Sequence, residues 1–316
     1  MKEFLKIFKK VNGIQVIKEY FLNGYFVIVS LLVMLLGISK KSLEIIRLIV
    51  EHKTVSRLRR KYKDYISVYS CKEPKERKEK IIWLCWFQGI ENAPEIVQKC
   101  YESVKETFSD YKINVLTDEN IKEFVQFPDY IWEKYSNGII TKTHFSDILR
   151  LELLSKYGGI WIDATVYVSN KNIPKYMEEN DLFLFQCLKP GLDGHATAIS
   201  SWFMSSCKHN PIVELTRDLL YEYWKKNNRM CDYFLLHNFM QLAIEKYPEE
   251  WKKVIPFSNA MPHILLLNFF EEYEKEWLDT VLQLSPIHKL SYKFTEEQMQ
   301  KDGTYYKWFI NRKIGE

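Results

Sequence analysis

Residues 143–170 read THFSDILRLELLSKYGGIWIDATVYVSN, and the interpretation of the whole chain starts from this stretch. Its first half predicts a helix that is apolar on nearly every face, and such a helix is normally buried. Gly158 and Gly159 predict the end of the helix, because glycine adopts the left-handed C-cap conformation at little cost. The apolar residues 160–162 then predict a short buried strand, with Asp163 near its end.

Three charged residues in this stretch are candidates for a functional site. Asp147 and Arg150 are three residues apart, so they lie on one face of the predicted helix. Buried charges need a partner or a ligand, so the two form a structural ion pair or serve a bound molecule. Asp163 follows a strand, and open α/β sheets bind their ligands beyond the carboxyl ends of strands. Its oxygens suit a divalent cation, although an ordinary Asp after a strand is the alternative.

The motifs Ser146-Asp147-x-x-Arg150 and Tyr157-Gly-Gly-Ile-Trp-Ile-Asp163 resemble the core of the capsular polysaccharide synthesis proteins and of glycosyltransferase family 32. The resemblance runs from about residue 81 to about residue 170, with a second patch near residues 285–293. It implies an α/β fold of the GT-A type, in which a Rossmann-like mixed sheet with flanking helices binds a nucleotide sugar. It also implies a retaining hexosyltransferase-type enzyme whose donor is expected to be a UDP-sugar.

The metal-binding motif departs from the pattern of the wider family. There it is usually Asp-x-Asp and binds Mn²⁺ together with the donor diphosphate, whereas this chain has Asp163-Ala164-Thr165, a triplet typical of the capsular branch. The resemblance therefore implies a divalent cation, Mn²⁺ or Mg²⁺, at Asp163. Two alternatives stay open: a degenerate transferase that binds nucleotide or glycan without turnover, and a phosphotransferase that uses no nucleotide sugar.

Further site candidates lie at the end of the first predicted strand and late in the chain. In the family the first strand's end holds the nucleotide base, so Trp86 is expected to stack on it, unless it is a core tryptophan. His288 is a candidate metal ligand, and Lys289 and Lys293 are candidates for binding donor phosphates. The alternative for these three residues is a solvated basic loop.

Two other segments carry weaker signals. His237 lies in a helix predicted over residues 232–247. It either faces the site or is a core histidine whose hydrogen bonds are satisfied, and a lone histidine in such a helix is more often the second. The glycine-rich residues 189–195 form part of the acceptor or sugar site, or a plain surface turn, which is the simpler interpretation.

Composition narrows the class of protein. The chain of 316 residues can bury a substantial core, and 15% aromatic residues argue against disorder. Strands predicted over residues 81–86 and 112–116, with a helix between them, indicate a βαβ unit with parallel strands. The net charge of the chain is +4. The basic residues concentrate before Lys80, and this distribution favours an anionic membrane surface over nucleic acid as a partner. The six cysteines show no zinc spacing, which indicates reduced thiols.

The N-terminal region predicts contact with a membrane. Residues 21–39 are apolar but only borderline in length for a spanning helix, so an interfacial helix or a buried soluble helix are alternatives. Nine Lys and Arg residues follow within residues 40–63 and favour a cytoplasmic catalytic part. We therefore expect a helical membrane-associating extension at 1–70, a charged linker at 71–80 and a catalytic domain at 81–316. The enzyme is expected at the cytoplasmic face of a bacterial membrane, peripheral or single-span, with a lipid-linked glycan acceptor.

Overall fold

The computed structural model describes residues 13–71, 73–77, 79–188 and 199–312. Its strands are β1 (Ile81–Cys85), β2 (Lys112–Leu116), β3 (Gly159–Ile162), β4 (Val166–Val168), β5 (Leu182–Gln186), β6 (Ile199–Ser206) and β7 (Ile287–Lys289). The helices before β3 are α1 (Gly13–Leu22), α2 (Phe26–Leu36), α3 (Lys40–Val68), α4 (Glu95–Thr107), α5 (Ile121–Phe124), α6 (Asp129–Ser136) and α7 (Lys142–Tyr157). Those after it are α8 (Lys175–Glu179), α9 (Pro211–Lys226), α10 (Leu235–Lys246), α11 (Pro248–Trp251), α12 (Ile264–Leu267), α13 (Lys275–Leu284), α14 (Glu296–Gln300) and α15 (Tyr305–Asn311). Short 3-10 turns cover Ile90–Asn92 and Met261–His263.

The central sheet has the strand order β2-β1-β3-β6-β5. Strand β1 pairs in parallel with β2 and with β3, which confirms the predicted βαβ unit and the mixed sheet. Strand β6 runs antiparallel to both β3 and β5. Because β1, β2 and β3 are parallel, their carboxyl ends meet at one edge of the sheet, where ligands of open α/β sheets bind.

The predicted helix, glycine turn and strand of the opening stretch are present. Helix α7 begins after Thr141, whose side chain accepts a hydrogen bond from the backbone N–H of His144. It ends at Tyr157 with Gly158 as its C-cap, and Gly159 then takes a φ of +95° as the chain enters β3. A Cβ on Gly159 would lie 2.5 Å from the carbonyl oxygen of Ile81, so only glycine allows β3 to approach β1 this closely.

The long helix α3 belongs to the main core. Val55, Leu58 and Tyr62 are buried with residues of the sheet and of helices α7, α9 and α10. The Tyr62 ring packs edge-on against Phe239 of α10, with 5.2 Å between ring centroids. The predicted boundary at residues 71–80 therefore follows a helix that already packs on the predicted catalytic part.

The apolar N-terminal run is divided between two short helices. Helix α1 ends at Leu22 and α2 begins at Phe26, because Gly24 adopts a φ of +74° and turns the chain between them. The 11 residues of α2 are about 16 Å long at 1.5 Å per residue, whereas a bilayer's hydrocarbon core is about 30 Å thick. Within the ranges that the structure describes, no helix combines the length and the apolar character that crossing a bilayer demands. The lysine-rich residues 1–12 lie outside those ranges.

Candidate active site

A cleft of about 720 Å³ opens at the carboxyl ends of β1 and β3. Its wall comes from the ends of these strands, from α7 and α10, and from the segment that includes β7. Six of the seven residues that the sequence predicts for the site line it, namely Trp86, Asp147, Arg150, Asp163, Lys289 and Lys293. The structure thus brings together residues that are more than 200 positions apart, counting from Trp86 to Lys293.

Four charged side chains form a connected cluster in this wall. Arg150 bridges the two carboxylates, donating from Nη1 to Asp147 Oδ1 at 2.6 Å and from Nη2 to Asp163 Oδ1 at 3.1 Å. Lys289 Nζ donates to the other oxygen of Asp163, Oδ2, at 2.7 Å. The same ammonium group also donates to Thr165 Oγ1 at 2.8 Å. We call Asp147, Arg150, Asp163 and Lys289 the charge cluster.

Trp161 holds two members of the charge cluster in place. Its indole Nε1 donates to Asp163 Oδ1 at 2.9 Å, and its ring lies under the Arg150 guanidinium, 4.8 Å from the ring centroid. A cation over an aromatic face is stabilised by the ring's electron density. The strand residue before the site thus fixes both the carboxylate and its cationic partner.

Both carboxyls of the charge cluster are ionised at neutral pH. Burial alone would raise the pKa of Asp163, but Lys289 and Arg150 outweigh burial and hold that pKa below its usual value. For Asp147 the same burial is outweighed by Arg150 and by His144, whose Nδ1 lies 3.4 Å from Asp147 Oδ2. Within the wall, the negative charges of the two carboxylates are therefore balanced by the positive charges of Arg150 and Lys289.

Lys289 reaches Asp163 because β7 pairs with β4. The pairing is antiparallel and sets Val166 opposite Lys289, and the backbone N–H of Leu290 donates to the Thr165 carbonyl at 2.8 Å. Successive side chains of a strand point to opposite faces. Since Lys289 faces the cleft, His288 must face away from it.

The expectation that His288 binds a metal together with Asp163 does not fit this arrangement. The His288 ring is fully buried and stacks on Tyr167. Its Nε2 atom is hydrogen-bonded to Ser169 Oγ at 3.0 Å. Burial lowers its pKa to about 4, with the backbone of Ser285 opposing the shift, so the ring is neutral at pH 7. It is a packed core residue behind the cleft.

The aromatic part of the wall includes a residue that sequence reasoning missed. Trp86, partly buried, packs edge-on against Tyr292, with 5.2 Å between ring centroids. Tyr292 lies within residues 285–293, the patch in which the sequence predicts basic site residues. An aromatic side chain between two candidate lysines is the sequence signal that could have identified it. Tyr233 and Lys142 also line the cleft, and nothing in the sequence distinguished them.

The profile of a known family matches residues 37–309, and that family is described as capsular polysaccharide synthesis protein. The match covers well over half of the 316 residues. The chain belongs to this family. Because the match begins ahead of α3, that helix is part of the unit that the family shares.

Several glycosyltransferases are similar to this chain. The O-glycosyltransferase braB of Annulohypoxylon truncatum is 25% identical over 164 residues, which are 46% of this chain and 38% of that protein. The O-glycosyltransferase PaGT of Phomopsis amygdali is 26% identical over 171 residues, 49% of this chain and 41% of that protein. The chain thus spans about two fifths of the length of these two relatives. A solved structure titled PaToxG Glycosyltransferase matches with 17% identity and a TM-score of 0.36, over 83% of this chain and 97% of that one.

His237 lies in the cleft wall. Burial lowers the pKa of this imidazole to about 4, although Asp147 opposes the shift, so the ring is neutral at pH 7. A neutral imidazole can both donate and accept a hydrogen bond. The glycine-rich residues 189–195, the other weak candidate, lie outside the described residues.

The described residues do not fit a protein-built site for a divalent cation. Among them no group of three or more His, Cys, Asp or Glu side chains could hold a metal ion. Asp163 is the expected ligand, yet Arg150 and Trp161 donate to one of its oxygens and Lys289 to the other. A cation at Asp163 would have to displace a donor from the carboxylate and would lie close to the positive charges of Arg150 and Lys289.

Proposed function

We propose that this protein is a GT-A-type glycosyltransferase that moves a sugar from a nucleotide sugar to a glycan hydroxyl. The observation that carries the proposal is the charge cluster in a large cleft at the carboxyl ends of parallel strands. Family membership and similarity to two O-glycosyltransferases support the same reaction. We propose a UDP-sugar as the donor.

The donor's parts match different sides of the cleft. Trp86 and Tyr292 offer an aromatic corner against which a nucleotide base can stack. Lys289 and Lys293 offer ammonium groups to the diphosphate, and ammonium groups are good point-charge partners for phosphate. The carboxylates of Asp147 and Asp163 accept hydrogen bonds from ribose or sugar hydroxyls.

Catalysis has to stabilise the charge of the leaving nucleoside diphosphate. Negative charge builds on the oxygen between the sugar and the phosphate as that bond breaks, and a fixed cation lowers the energy of this state. Lys289 supplies such a cation from a strand that is paired with β4. Asp147 and Asp163 are tied to cations and have lowered pKa values, so they are poor nucleophiles. Retention of configuration therefore proceeds by front-face displacement in this proposal.

The acceptor proposal rests on the N-terminal helices. Helices α1 and α2 expose a set of apolar side chains that includes Phe21, Val27, Leu31, Met34 and Leu35. Exposed lysines and arginines stand beside this set at positions 18, 40, 41 and 47. An apolar face with basic neighbours fits the surface of an anionic membrane. We therefore propose that the enzyme lies on the cytoplasmic face of a bacterial membrane, where a lipid-linked glycan is its acceptor.

The N-terminal helices contact the segment that leads to Tyr233 of the cleft wall. The turn between α1 and α2 is held by a hydrogen bond from Asn23 Nδ2 to the Cys231 carbonyl, at 2.9 Å, and by Arg229, which donates to the Leu22 carbonyl. Tyr233, two residues after Cys231, lines the cleft and is largely exposed. An acceptor held at the membrane would thus enter beside Tyr233.

The test of the reaction is release of nucleoside diphosphate from a panel of nucleotide sugars. We expect Asp163→Asn to lower kcat/KM by about 100-fold or more, since each factor of ten corresponds to about 1.4 kcal/mol of lost transition-state stabilisation. The matched control is Asp302→Asn, because the Asp302 side chain is 95% exposed and lies outside the cleft. Binding of donors without any release would instead favour the degenerate binding protein. Phosphoryl transfer without a nucleotide sugar would favour the phosphotransferase.

A further inference from the structure

Lys289 occupies the position at Asp163 that a metal ion would need. Its ammonium lies 2.7 Å from Asp163 Oδ2, and the other oxygen of that carboxylate accepts from Arg150 and Trp161. The lowered pKa of the Asp163 carboxyl, caused by Lys289 and Arg150 against the effect of burial, agrees with a carboxylate that already has its counter-ions.

The ammonium of Lys289 also has capacity for a phosphate oxygen. An ammonium group carries three N–H donors. Two of them are used within the described residues, one on Asp163 and one on Thr165. The side chain is 18% exposed and lines the cleft, so the third donor is accessible to a ligand there.

The charges of the cleft wall also favour binding of an anion such as a diphosphate. Lys142, Arg150, Lys289 and Lys293 line the cleft, against two carboxylates, Asp147 and Asp163. Lys142 is paired with Asp118, 2.9 Å away, which leaves Lys293 and the unused donor of Lys289 facing an incoming diphosphate. The wall is thus suited to an anion as it stands, without a further cation.

We infer that Lys289 replaces the divalent metal ion in this enzyme, and that Asp163 holds the lysine rather than a metal. The diphosphate of the donor then binds directly to an ammonium group that Asp163 and Thr165 fix in position. The inference rests on the proposed function, because it concerns how the donor is held.

The experiment measures the Kd of UDP for the full-length protein by calorimetry, in excess EDTA and in saturating Mn²⁺. For the wild type we expect the two values to agree within about twofold, which is about 0.4 kcal/mol. We expect Lys289→Ala to bind UDP at least about tenfold more weakly in EDTA, because a charge-assisted hydrogen bond is lost. In this variant Mn²⁺ should restore part of the affinity, since Asp163 Oδ2 then has no protein donor.

Two further variants separate the role of Lys289 from a general loss of charge or of folding. Lys289→Arg should keep more affinity for UDP than Lys289→Ala, because it keeps a cation beside Asp163. Lys252→Ala removes an exposed lysine that is paired with Glu249 outside the cleft, and it should leave the Kd unchanged. Thermal melting followed by circular dichroism shows whether each variant is folded.

The possible outcomes are distinct. If wild-type affinity for UDP falls about tenfold or more in EDTA and returns with Mn²⁺, the inference is wrong while the proposed donor class stands. If UDP binds in neither condition, the UDP donor and the inference both fail. If Lys289→Ala binds as tightly as the wild type in EDTA, Lys289 does not contact the diphosphate.

Discussion

At the scale of single residues, His288 and Lys289 are neighbours in sequence with opposite environments. Lys289 bonds Asp163 in the cleft, whereas His288 is fully buried against Tyr167. Because side chains alternate between the two faces of β7, Lys289 can face the cleft only if His288 faces the core. A one-residue shift in the pairing with β4 would exchange them, so the site depends on the register of a strand of three residues.

The burial of His288 predicts how stability depends on pH. Its pKa is about 4 in the folded state and about 6.5 when unfolded, so the unfolded chain binds more protons between these values. The free energy of unfolding should therefore fall as pH drops from 6.5 towards 4, by up to about 1.4 kcal/mol per pH unit for this residue. His237, with a pKa of about 4, adds to the same trend. Urea unfolding at pH 7 and pH 5 measures the effect.

A substitution isolates the part of this pH dependence that is due to His288. In His288→Gln, which keeps a polar group near Ser169, the loss of stability between pH 7 and pH 5 should be smaller than in the wild type. His52→Gln is the control, because His52 is exposed on α3. An equal loss in the wild type and in His288→Gln would show that this imidazole titrates as it does in water.

At the scale of elements, helix α3 joins the N-terminal region to the core. Leu58 is 3% exposed and packs with the main core, whereas Ile45 on the same helix is 46% exposed. Leu58→Ala should lower the free energy of unfolding by about 2–5 kcal/mol, the usual cost of deleting a buried leucine side chain. Ile45→Ala should change it by less than about 1 kcal/mol. Urea denaturation of the two variants gives both values.

This comparison also tests the predicted domain boundary. If Leu58→Ala costs no more than Ile45→Ala, α3 is not part of the core and residues 71–80 separate two independent units. If it costs several kcal/mol, a chain that starts after residue 73 lacks a core helix and should not fold stably. Removing residues 1–38 instead keeps α3 and takes away α1 and α2.

At the scale of the whole molecule, the exposed face of α2 predicts membrane binding. Met34 and Leu35 are 81% and 79% exposed, and burying each in lipid contributes about 1.5–3 kcal/mol. Met34→Asp with Leu35→Asp should therefore lower binding to phosphatidylglycerol vesicles by about 100-fold or more in a sedimentation assay. Raised salt should also weaken wild-type binding, because basic side chains contribute.

Two controls define this membrane experiment. Leu267→Asp introduces a charge at a position on α12 that is 77% exposed and should leave vesicle binding unchanged. Nucleoside diphosphate release by the doubly substituted protein should stay at the wild-type rate with a soluble donor, because neither residue lines the cleft. Wild-type protein that remains in the supernatant with anionic vesicles at low salt would contradict the proposed location.

The sequence alone determined the features that depend on short-range contacts. Helical spacing placed Asp147 and Arg150 on one face, and the glycine turn placed Asp163 at the end of the next strand. These relations span fewer than twenty residues, so backbone geometry defines them before the chain packs. The parallel βαβ unit also follows from the alternation of local patterns.

The family resemblance named Lys289 as a candidate, but only the tertiary structure decided that it contacts Asp163. Lys289 lies 126 positions from Asp163, and their contact depends on the pairing of β7 with β4, which neither strand's composition specifies. In the same way, the break at Gly24 divided an apolar run whose length was borderline for a spanning helix. Long-range contacts depend on the packing of the whole chain, and the periodicity of one segment carries no information about its partner.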